Sequence, residues 1–104
     1  MIRIVYTRRA EDELRAIWRY LAEDNDNEPA ADRVLRAIGD KIELLREHPR
    51  LGRRRPDIAE GARMLIERHF LIFYETHPNT QDTPVELVEI VSIVDGRRDL
   101  SELF

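Results

Sequence analysis

The sequence predicts an α+β fold: an N-terminal strand, an antiparallel helix hairpin, a three-stranded antiparallel meander and a short C-terminal tail. Three observations carry this. Apolar residues recur at the 3.6-residue helical period from Ala10 to Leu21 and again from Ala31 to Leu45. Strand-like apolar runs follow at Arg63–Glu67, residues 69–74 and Val85–Val94, with one more at the start, Ile2–Thr7. Turn-forming clusters separate the runs. At 104 residues the length prior is one domain, residues 1–104.

Each element has a local reason. Ile2, Ile4 and Tyr6 alternate with Arg3, Val5 and Thr7, giving a strand with one apolar face. Thr7 fits a helix N-cap, and Glu11 and Asp12 suit the positive end of the helix dipole. The first helix is expected over residues 8–24, with Trp18 in the core. Asp24–Glu28 is a break, and Pro29 opens a second helix that runs to about Glu47. The expected buried stripe is Leu14, Ile17, Leu21, Val34, Leu35, Ile38, Ile42 and Leu45. Gly39 lies inside that stripe's helix and marks a possible close crossing. His48–Glu60 is a thirteen-residue loop, long for a compact domain. Thr76–Pro84 is a polar hairpin loop. The last two strands are apolar on both faces, so they are expected at the centre, with strand 1 beside strand 4 and its direction open. The hairpin covers one face. Leu100, Leu103 and Phe104 are available to cover part of the other, and the remainder suits a partner.

Composition narrows the function. There is no cysteine, hence no disulfide framework and no thiolate metal site. The three histidines, His48, His69 and His77, share no metal-ligand spacing, so neither metal nor cofactor is expected. The lack of a run of ~18 apolar residues or a signal peptide leads to the expectation of a cytoplasmic protein without membrane contact. A net charge of −4 weighs against generic nucleic-acid binding. All but one of the 17 basic residues are arginine, which pairs bidentately with carboxylates and phosphates. Arg50, Arg53, Arg54 and Arg55 fall within six residues with no acid among them. They form either a solvated loop paired with the chain's own acids or a docking surface for an acidic partner.

The same segment carries a family resemblance. Pro49, Gly52, Arg53, Arg55 and Pro56, then Gly61 and Arg63, then a strand ending Ile72-Phe73-Tyr74, resemble ParE-type toxins of the RelE/ParE toxin–antitoxin superfamily. The ending Gly96-Arg97-Arg98-Asp99-Leu100 with Leu103-Phe104 is similar to the family's terminus. The resemblance covers nearly the whole chain. It implies a RelE/ParE-like fold and inhibition of DNA gyrase by trapping its cleavage complex, without catalysis by the toxin. It also implies neutralisation by a ParD-like antitoxin, DNA contact only through that antitoxin, and room for higher-order toxin–antitoxin hetero-oligomers. The expected antitoxin-binding residues are Arg53, Arg54, Arg55, Arg63, Phe70, Ile72 and Tyr74, on the loop and sheet. Those expected to meet the target are Arg97, Arg98, Leu103 and Phe104, on the tail. Asp95 departs from the family, where histidine is frequent.

Two other readings stand beside it. A RelE-like ribosome-dependent mRNA endonuclease would use Arg63 on an open sheet face to hold the scissile phosphate, and would need a general base and a general acid besides. The only lysine, Lys41, is mid-helix, and residues 97–104 contain no tyrosine or histidine, so no catalytic residue is assigned. An inert relative that only binds its antitoxin is the third.

Overall fold

The computed structural model describes residues 1–97. It contains β1 (Arg3–Tyr6), α1 (Arg8–Arg19), α2 (Glu28–Glu43), β2 (Arg53–Arg54), β3 (Arg63–Glu67), β4 (Phe70–His77) and β5 (Leu87–Asp95). The architecture is α+β, with two helices on a five-stranded mixed sheet of order β1-β5-β4-β3-β2. β1 runs parallel to β5, and the other neighbours are antiparallel. Leu100, Leu103 and Phe104 lie outside the described residues.

The helix ends are set by side chains. The Thr7 hydroxyl accepts from the Ala10 N–H at 3.1 Å and donates to the Val91 carbonyl at 2.8 Å. One residue thus caps α1 and fastens its start to β5. α1 ends in a π-helical turn, Tyr20–Asp24, so the first helical stretch is α-helical only to Arg19. Asn27 caps α2 by accepting from Ala30, and Pro29 sits in its first turn. A 3₁₀ turn, Leu44–Arg46, closes α2. The Trp18 indole donates to Asp32 at 3.1 Å, bridging the hairpin from a half-buried position rather than from the core.

The main core lies between α2 and the sheet. Val34, Ile38, Ile42 and Leu45 are buried against Leu65, Phe70, Ile72, Tyr74, Val88, Ile90 and Ile93. Leu14, Ile17, Leu21 and Leu35 pack on this core but are only partly buried, so α2 carries more of the burial than α1. Ile90 and Ile93 share the helix-facing side because β5 is bulged: Phe73 pairs with Ser92 and Tyr74 with Ile90, leaving Val91 extra. The extra residue shifts the alternation by one. A second, smaller cluster lies on the opposite face, where Met64, Phe73 and Val94 are buried with Ile58 and Leu71 against them.

Two further sequence expectations need correction. The His48–Glu60 segment is not an unstructured loop, since its Arg53 and Arg54 pair with Met64 and Arg63 as edge strand β2. Gly39 marks no close crossing, because a Cβ built there meets nothing within 4 Å. Gly39→Ala is therefore expected to stabilise the fold by ~0.5–1 kcal/mol, the helix-propensity difference between the two residues. Chemical denaturation measures this directly.

Candidate functional site

The arginine segment is shaped from beneath. Tyr74 on β4 is fully buried, and its hydroxyl accepts from the Gly52 N–H at 2.7 Å and donates to the Pro49 carbonyl at 2.9 Å. Burial pushes the phenol's pKa up, while the Gly52 N–H and the Arg63 charge pull it back. The phenol therefore stays neutral at physiological pH and can donate and accept at once. Arg63 on β3 is also buried, with 6% of its surface exposed. Its Nη1 donates to the carbonyls of Arg50 and Gly52 at 3.2 and 3.0 Å. Only glycine fits at position 52, because a Cβ there would lie 2.5 Å from the Tyr74 ring. Gly61, where the segment turns back into β3, has φ +84, a conformation open mainly to glycine.

The arginines divide by role. Arg50 donates to the carbonyls of Thr80 and Thr83 at 3.0 and 2.6 Å, tying the segment to the β4–β5 loop. Arg55 grips Asp57, at 3.0 Å from Nε and 2.9 Å from Nη2, and its Nη1 approaches the Met64 sulfur. That grip holds the Asp57 carboxyl below its ordinary range. Arg53 and Arg54 are exposed and have no ion pair among the described residues. Arg53 pairs with Met64 and so lies on the face away from the helices, whereas Arg54 pairs with Arg63 on the helix side. The reading of a loop paired with its own chain thus fits Arg50 and Arg55, while Arg53 and Arg54 have no such partner among the described residues.

The other expected site residues fall into place differently. Arg63 does not face the open side of the sheet; it shares the helix-side face with Leu65, and its guanidinium is taken up by the loop above it. Phe70, Ile72 and Tyr74 lie in the main core under the helices. The β4 side chains on the other face are Leu71 and Phe73. On that face a groove of about 190 Å³ runs between α1 and the segment after β2, lined by Ile58, Ala59, Ala62, Phe73 and Val91, with Arg9 on the α1 wall. Sequence reasoning missed Arg9, Ile58, Ala59, Ala62 and Val91, and did not place Phe73 among the site residues. The helical period could have marked Arg9 as one turn before Glu13; nothing local marks the rest.

Glu13 has a part of its own. β1 pairs with β5 only as far as Ile90. Beyond that point the Glu13 carboxylate accepts from the Ile93 N–H at 3.0 Å and from the Ser92 hydroxyl at 2.9 Å. It satisfies the strand edge that β1 leaves, and Arg9 flanks it at 3.7 Å.

At the far end of β5, the Gly96 N–H donates to the His69 carbonyl at 2.7 Å. Asp95 accepts from the Arg97 N–H at 2.9 Å and from its guanidinium at 3.1 and 2.8 Å. The hydrogen bonds from Arg97 bring the Asp95 pKa down to about 2, against the cost of burial, and His69, 3.9 Å away, adds a little. A depressed folded-state pKa adds stability above the unfolded carboxyl's ordinary ~4 and loses it as pH falls towards 2. The Asp95 carboxyl is expected to titrate near 2 by carbon NMR, and to return towards 4 in Arg97→Ala. Arg98, Leu103 and Phe104 lie outside the described residues. Among the described residues no three His, Asp or Glu side chains gather where they could hold a metal ion, and no helix is long and apolar enough to cross a membrane.

The chain is similar in fold to a chromosomal ParDE toxin–antitoxin system from P. aeruginosa, with a TM-score of 0.68 at 22% identity over 91% of this chain and 96% of that one. No curated protein sequence matches it. The family described as the ParE toxin of type II toxin–antitoxin system, parDE, matches residues 4–100. With nearly the whole length matched and the fold in agreement, the chain belongs to the ParE family of type II toxins.

Proposed function

We propose that this toxin inhibits DNA gyrase by stabilising its cleaved-DNA intermediate, without catalysing a reaction itself, and that a ParD-like antitoxin neutralises it. The antitoxin would dock on the outer edge of the sheet, at Arg53 and Arg54, and along the face away from the helices. The tail beginning at Gly96, with Arg97, Arg98, Leu103 and Phe104, would meet the target. The observation that carries the reading is the division of the arginines. Two guanidiniums with no ion pair among the described residues stand at the sheet edge, where an acidic partner can reach them. Arg63, which a ribonuclease would need at the scissile phosphate, is spent on the carbonyls of its own chain.

Purified protein tests this directly. In a supercoiling assay the reading expects loss of gyrase activity together with accumulated cleaved DNA. Codon-positioned cuts in ribosome-bound mRNA, with gyrase unaffected, would instead establish the nuclease. Reversing the free pair, Arg53→Glu with Arg54→Glu, is expected to weaken antitoxin binding roughly tenfold or more and to flatten its salt dependence, because exposed pairs are screened by ions. Titration calorimetry at two salt concentrations measures both. Arg53→Glu alone should account for most of the loss if the partner lies on the face away from the helices.

A further inference from the structure

Resting on the antitoxin reading above, we infer that the groove between α1 and the segment after β2 takes one large apolar side chain of the antitoxin, and that Arg9 pairs with an acidic residue beside that anchor. The groove is built for an apolar occupant. Phe73 of β4, Val91 of β5, and Ile58, Ala59 and Ala62 from the segment after β2 line it. Its volume of about 190 Å³ suits a leucine, phenylalanine or tryptophan side chain. The Ser92 hydroxyl that lines it is already taken by Glu13.

The charges around it select the neighbour of that side chain. Arg9 is half-exposed and meets Glu13 through Nε, at 3.7 Å. Its remaining donors have no hydrogen-bond partner among the described residues, and a guanidinium in that state presents a two-pronged face to a carboxylate. Arg53, exposed on the same face of the sheet, adds a second positive charge along the way. Glu75 also lines the groove and discourages a second acid beside itself. The result is a directional code: an apolar residue in the groove, with an acid towards α1. A buried anchor surrounded by a polar rim is the arrangement that concentrates binding energy in few residues.

The Val91 bulge is what opens this site. Val91 is the extra residue of β5, and it lines the groove instead of continuing the core alternation. Bulges are frequent beside functional sites for this reason.

The test uses the full chain and the antitoxin encoded by the adjacent reading frame. Ala59 is exposed, so Ala59→Trp fills the groove without disturbing the core. Its affinity for the antitoxin is expected to fall at least tenfold with an unchanged melting temperature. Arg9→Glu is expected to lower affinity by a similar factor and to be rescued by an acid-to-arginine change beside one apolar antitoxin residue. Indole, as a probe of the groove alone, is expected to shift the amide resonances of Phe73 and Val91 in the wild type and not in Ala59→Trp. Wild-type affinity in Ala59→Trp, with the antitoxin bound normally by the wild-type chain, overturns the groove and leaves the antitoxin reading standing. An adjacent product that fails to bind the wild-type chain overturns that reading and the groove with it.

Discussion

Arg63→Ala is expected to lower the unfolding free energy by about 3 kcal/mol and to release the Pro49–Gly52 segment from the sheet. The guanidinium is buried and makes two hydrogen bonds to backbone carbonyls, at 3.2 and 3.0 Å. Bonds from a charged donor contribute ~1.5–3 kcal/mol each, and the acceptors left behind have no replacement inside the protein. For a domain whose whole stability is ~5–15 kcal/mol the loss is large. Tyr74→Phe, which removes only the bonds to Gly52 and Pro49, is expected to cost ~1–3 kcal/mol by the same reasoning. The two residues grip the same segment, so the double variant should cost less or more than the sum, and a double-mutant cycle in urea measures the coupling. If Arg63 contacted the antitoxin directly, Arg63→Ala would instead keep near-wild-type stability and lose affinity at every temperature. The structural role predicts the reverse: affinity recovers on cooling or with a stabilising change such as Gly39→Ala.

The helices were legible because their signals are local. Thr7 caps α1, Pro29 opens α2, and the 3.6-residue stripe names Val34, Ile38, Ile42 and Leu45, all buried. The faces of the sheet were not legible, for a physical reason. From Phe70 to Tyr74 every residue is apolar, so alternation carries no phase, and Ile72 and Phe73 look alike in sequence though they lie in different clusters. On β3 the pattern places Arg63 with Leu65 and opposite Met64 and Ile66, and the structure agrees with that grouping. What it could not supply was which group meets α2. Leu65 does, while Ile66 remains 52% exposed. That choice is made by helix packing across the sheet, which no local window contains. The Val91 bulge adds a one-residue shift that is equally silent in sequence. Glu13 reads as one more charge on a solvated helix face, and its role depends on where β1 stops.

A chain ending at Asp95 is expected to lose growth inhibition while keeping its fold and its antitoxin. The residues of both hydrophobic clusters that can be described run from Ala10 to Val94, so each of them survives the cut. The last sheet pairing, Phe70 with Asp95, also survives. The cut removes Arg97 and with it the hydrogen bonds to Asp95, so the new terminus carries two carboxylates near His69. Asp95 is partly buried, so this repulsion is only partly screened, but it is confined to the end of β5 while both clusters keep their packing. What the truncate lacks includes Arg97, Arg98, Leu103 and Phe104, the residues proposed above to meet the target. Far-ultraviolet circular dichroism, antitoxin calorimetry and a growth assay read the three properties separately. An unfolded truncate would make the terminal apolar residues an indispensable cover for Met64, Phe73 and Val94. A folded truncate that still arrests growth would move the target surface to Arg53 and Arg54, and would require antitoxin and gyrase to compete for the same sheet edge.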